Sequence, residues 1–66
     1  MPIITVKIGP ERTVEQKRAL VRALTKVAVD ILEAEEEWVT VLIEELGHGN
    51  WAVGGELLSD RYGAGQ

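Results

Sequence analysis

Ile3-Ile4-Thr5-Val6-Lys7-Ile8-Gly9-Pro10, continued by Glu11-Arg12-Thr13-Val14-Glu15-Gln16, settles the architecture of this 66-residue chain. The six residues before Gly9 are mostly β-branched. Alternation places Ile4, Val6 and Ile8 on one face and Ile3, Thr5 and Lys7 on the other, the pattern of a strand. Gly9-Pro10 ends it. Thr13 and Gln16 then form a capping box, in which the hydroxyl accepts the Gln16 N–H and the amide reaches back. Beyond the cap, Leu20, Leu24, Val27, Ala28 and Ile31 recur at three- and four-residue spacing, with Arg18, Arg22, Lys26 and Asp30 mostly opposite. This predicts an amphipathic helix ending near Glu33.

Outward from that stretch, Glu33-Ala34-Glu35-Glu36-Glu37 reads as a solvated helix end or connection, because neighbouring carboxylates repel. Adjacent residues do not converge on one cation without a shaped loop, so no metal is expected there. Val39-Thr40-Val41-Leu42-Ile43 is almost continuously apolar, which suits a strand covered on both faces. Strand, helix, strand makes the fold α/β: a single β-α-β unit with parallel strands and a right-handed crossover. Gly47, Gly49, Gly54 and Gly55 bracket Asn50-Trp51-Ala52-Val53, and Glu56-Leu57-Leu58 follows. Such glycine density predicts a short C-terminal hairpin. The tail 63–66 is expected to fray. No repeat or linker divides the chain, so residues 1–66 read as a single domain.

Size sets a further constraint. A chain this short buries only about 60% of its unfolded surface, and a two-stranded sheet cannot cover both of its own faces. The chain has no cysteine, so disulfides are excluded, yet 45% of its residues are hydrophobic. Oligomerisation is the expected source of the missing core. A net charge of −4 argues against nucleic acid. No apolar run reaches the ~18 residues of a membrane span, and no basic, apolar leader opens the chain. The expected location is cytoplasmic.

Pro2 follows Met1 directly. A small second residue permits removal of Met1, which would leave a free secondary amine at the N-terminus. Such a group is both basic and nucleophilic. Burial or a neighbouring cation disfavours its charged form and suits it to general-base work near neutrality. By itself a Met-Pro start carries no catalytic meaning.

Pro2, the segment Arg12-Thr13-Val14-Glu15-Gln16-Lys17 and the stretch Trp51-Ala52-Val53-Gly54-Gly55-Glu56-Leu57 together resemble the 4-oxalocrotonate tautomerase family of the tautomerase superfamily. The resemblance runs from Pro2 to about Arg61. It implies an isomerase without cofactor, built as a homo-hexamer or hetero-hexamer of short chains. It implies Pro2 as the base that moves a proton in a small unsaturated 2-hydroxy or 2-oxo acid. Arg12 matches the arginine that binds a substrate carboxylate, and Trp51 an aromatic residue that keeps the site apolar.

Chemistry asks for the same parts. The base must be a neutral amine, so its ammonium form has to be disfavoured by apolar surroundings, which Ile3, Leu42 and Trp51 are suited to supply. Arg12 adds like-charge repulsion, and its fork grips a carboxylate at two points. The developing enolate oxygen needs a donor. Here the chain departs from the family, whose second arginine matches Thr40. Losing a preorganised donor typically costs about 2.7–4 kcal/mol of transition-state stabilisation. Lys7, His48 and Arg61 are candidate substitutes, although His48 between Gly47 and Gly49 reads as a solvated turn residue.

Plainer readings stand beside these. Arg12 suits a helix-start surface, Trp51 a subunit contact, and Thr40 a strand. Two alternatives to the tautomerase follow. One is a weakly active or non-catalytic partner subunit in a hetero-oligomer. The other is a related hydratase or dehalogenase, for which Val53 stands where one branch carries a water-activating acid.

Overall fold

The computed structural model describes residues 1–63. Strand β1, Ile3–Ile8, leads into helix α1, Val14–Leu32, and strand β2, Thr40–Glu45. β1 and β2 pair in parallel, with Ile3 opposite Thr40 and Ile8 opposite Glu45. The expected capping box is present: the Gln16 amide donates to Thr13 Oγ1 at 3.0 Å, and the Thr13 amide to Gln16 Oε1 at 2.9 Å. The helix stops at Glu33, whose left-handed backbone (φ 54°) does what a glycine commonly does at this position.

Two readings need correction. Val27 and Ile31 are exposed; α1 instead half-buries Leu20, Val21, Leu24, Thr25 and Val29 around the buried Ala28. Spacing alone does not phase a helix whose flanks are also apolar. β2 runs two residues beyond Ile43, because ladder bonds continue through Glu44 and Glu45 and the Leu46 amide donates to the Ile8 carbonyl. In the acidic stretch, Glu36–Trp38 forms a 3₁₀ turn.

A hairpin follows, as expected. Strand β3, Ala52–Val53, pairs antiparallel with β4, Glu56–Leu57. Gly54 and Gly55 both have positive φ (62° and 86°), which the tight two-residue turn requires. One short helix, α2, Leu58–Arg61, was not anticipated. Arg61 grips Glu56 Oε1 through Nε and Nη2 at 3.1 and 3.0 Å and ties α2 to the hairpin. Of the expected fraying tail, residues 64–66 lie outside the described residues.

The core is small. Among the described residues only Ala28 and Leu58 are apolar and buried, at 5% and 6% exposure. The chain measures 44 × 25 × 13 Å, with a radius of gyration of 15.4 Å; a compact domain of this length would have about 11 Å. One helix covers the inner sheet face, where Ile4, Val6, Val41 and Ile43 are half-buried. The outer face is bare, with Ile3 67% and Leu42 52% exposed. No helix among the described residues is long and apolar enough to cross a membrane.

Candidate functional site

The parallel ribbon separates the candidate residues by construction. Pro2 and Thr40 lie at its N-terminal end, joined by a hydrogen bond from the Thr40 amide to the Pro2 carbonyl at 3.0 Å. Pro2 is half-buried. Thr40 is exposed and shares the outer sheet face with Ile3 and Leu42.

Arg12 and Trp51 belong to the opposite end. Gly9, Pro10, Glu11, Arg12, His48 and Trp51 line one cleft of about 310 Å³. Its floor is the turn that leaves β1, and a side-chain carbon added at Gly9 would sit 3.5 Å from the Trp51 ring. Glu11 adopts a left-handed backbone (φ 71°) and sets the direction from which Arg12 enters the helix cap. Among the described residues Arg12 makes no ion pair within 4 Å. Lys17, one turn along the helix, is instead held by Glu45 at the end of β2.

Between the two ends lies the length of β1, six residues or about 20 Å. One chain therefore brings Arg12 to Trp51, and Pro2 to Thr40, but does not bring the two pairs together. A larger cavity of about 590 Å³, between α1 and Glu36, contains none of the candidate residues. It is lined by Arg22, Lys26 and Asp30, and Lys26 already pairs with Asp30 at 3.0 Å. A third cavity, of about 280 Å³, adjoins Arg12 on the helix side and is lined by Ile8, Gln16, Lys17 and Leu20 as well.

His48 lies on a turn, as read, the 3₁₀ turn His48–Asn50, but it is half-buried and its Nδ1 is enclosed. Its ring stands edge-on to Trp51 at 6.3 Å between centroids and tilted against Tyr62 at 5.5 Å. The available signal was an aromatic residue three positions on and another fourteen on. Neither distance reveals a shared cluster until the hairpin turns the chain back. Of the other proposed substitutes, Arg61 is occupied by Glu56, and Lys7 projects from the outer sheet face. Among the described residues no three His, Asp or Glu side chains cluster as metal ligands would.

Comparison with known proteins shows the family. Residues 2–61 match the Tautomerase family model, described as tautomerase enzyme. The 2-hydroxymuconate tautomerase of Bacillus subtilis is 45% identical over 60 residues, 91% of this chain and 97% of the relative. The crystal structure of a 4-oxalocrotonate tautomerase homologue superposes with a TM-score of 0.89 at 40% identity, covering 96% of this chain and all of that one. A heterohexamer 4-oxalocrotonate tautomerase from Chloroflexus aurantiacus is similar at a TM-score of 0.81 and 28% identity, over 91% of this chain and 97% of its own. With its β-α-β unit, its glycine hairpin and matches that span nearly its whole length, this chain belongs to the 4-oxalocrotonate tautomerase family and is an isomerase.

Proposed function

We propose that Pro2, freed by removal of Met1, is the general base of a tautomerase acting on a small unsaturated 2-hydroxy or 2-oxo acid. Residues 1–66 form its single domain. The supporting observation is the cleft that joins Arg12, without an ion pair among the described residues, to Trp51 at one end of a ribbon whose other end carries Pro2. Because about 20 Å of strand separates them, the site is composite: the cleft of one copy faces Pro2 of another. A hexamer of such chains supplies that arrangement and covers the bare outer sheet face.

Within the site, Arg12 binds a carboxylate in two-point geometry. Trp51 excludes water, which favours the neutral amine. The Pro2 nitrogen accepts the proton of the dienol hydroxyl. The electron pair moves through the conjugated system, and the same proton returns at a distant carbon to give the enone. No net oxidation occurs and no cofactor is needed.

The 2-hydroxymuconate activity named for the Bacillus subtilis relative makes 2-hydroxymuconate the first substrate to try. Intact mass should show loss of Met1, and an ultraviolet assay should follow ketonisation of 2-hydroxymuconate or phenylenolpyruvate. Retention of Met1 would leave Pro2 as a tertiary amide and end its role as base. Thr40, with the Chloroflexus heterohexamer, favours one second reading: a subunit that lends its Arg12 cleft to a different chain. That subunit would be inactive alone and active with its partner.

A further inference from the structure

Resting on the substrate cleft proposed above, we propose that His48 is a substrate-binding residue, the second donor to the carboxylate held by Arg12. His48, Arg12 and Trp51 line the same cleft. His48 Nδ1 is buried with no hydrogen-bond partner among the described residues. A neutral imidazole carries one N–H and one bare acceptor. With the ring proton on Nε2, Nδ1 is an unfilled acceptor, which protein interiors tolerate better than an orphaned N–H. Among the described residues no hydrogen bond reaches the ring, which leaves Nε2–H to an incoming ligand.

The ring is packed by aromatic neighbours, edge-on to Trp51 at 6.3 Å and tilted against Tyr62 at 5.5 Å. The neighbouring charges in the cleft are Arg12, which attracts a carboxylate, and Glu11, which repels one. An imidazole N–H in the same cleft adds one more donor to the carboxylate beside the guanidinium fork. The other basic candidates are unsuited, since Arg61 is held by Glu56 and Lys7 points from the outer face of the sheet. His48 thus supplies at the carboxylate a polar contact that Thr40, about a strand's length away in the same chain, does not.

The test uses the assembled protein and cis,cis-muconate, a dicarboxylate without the 2-hydroxyl and so unable to react. Its dissociation constant is measured by calorimetry. His48→Ala should weaken binding about tenfold, the scale of one hydrogen bond to a charged group. His48→Gln can place an amide N–H near the Nε2 position and should recover binding to within about threefold of the parent. His48→Asn reaches only as far as Nδ1 and should remain as weak as the alanine variant. Equal affinity for Gln and Asn variants, or parent-like affinity for alanine, overturns the proposal. If His48→Ala does not assemble, the Gln and Asn pair decides. Arg12→Ala serves as the reference. Should it weaken muconate while His48→Ala does not, His48 alone is refuted; should it have no effect, the cleft and His48 fall together.

Discussion

The amide of Thr40 donates to the carbonyl of Pro2 across 3.0 Å, so the first ladder contact of β2 anchors the residue proposed as catalytic base. Ile3, opposite Thr40 in the register, is two-thirds exposed beside it. Whatever covers Ile3 in the assembly therefore also lies close to Pro2 and to the Thr40 side chain. The base and the position of the missing arginine share one fixed backbone frame.

Pro2→Ala should lower turnover by at least ~100-fold, the lower scale for a positioned acid–base group. Stability should change little, because Pro2 donates no hydrogen bond and its carbonyl contact to Thr40 survives the substitution. The measurement is kcat for 2-hydroxymuconate alongside thermal unfolding. Equal activity would remove Pro2 from the mechanism.

Thr40→Arg distinguishes a weakened enzyme from a lending subunit. A guanidinium on the outer face would supply charge near the developing enolate oxygen, and dicarboxylate turnover should rise by about tenfold or more. Overpacking against a neighbour would cost about 1–3 kcal/mol, so activity must be compared on protein shown by sedimentation to assemble. Unchanged low turnover in assembled protein would favour the partner-subunit reading.

Leu42→Asp should disrupt assembly. Leu42 stands beside Ile3 on the bare face, half-exposed in one chain, and covering an unpaired carboxylate is strongly unfavourable. With Ala28 and Leu58 as the buried apolar residues among those described, the separated chains should also lose helical signal at micromolar concentration. A folded monomeric variant would show that one chain is stable alone.

Glu11→Gly should stabilise the protein by up to about 1 kcal/mol. A left-handed backbone costs a side-chain-bearing residue roughly 1–2 kcal/mol, and glycine's greater entropy loss offsets about 0.5–1 of that. Because subunit association contributes to stability, denaturation should be compared at one protein concentration. Destabilisation would mean that the Glu11 side chain makes a contact in the assembly.

The local elements were legible in the residues. The β-branched alternation of Ile3–Ile8, the Thr13–Gln16 box and the paired glycines of the hairpin each act through neighbours in sequence, so each could be read in isolation. The family was legible for the same reason, through short motifs in a fixed order. Phasing of α1 was not, because Val27 and Ile31 are as apolar as Val21 and Val29, and only packing on the sheet selects a face. The partial burial of His48 was not legible, because its aromatic neighbours Trp51 and Tyr62 come together only after the hairpin reverses the chain. The division of the candidate residues also needed the tertiary structure: parallel pairing puts Pro2 beside Thr40 and, a strand's length away, Arg12 beside Trp51. Residue type and local spacing were determined by the sequence alone, while the grouping of those residues was decided by strand direction and by which surfaces one small chain leaves uncovered.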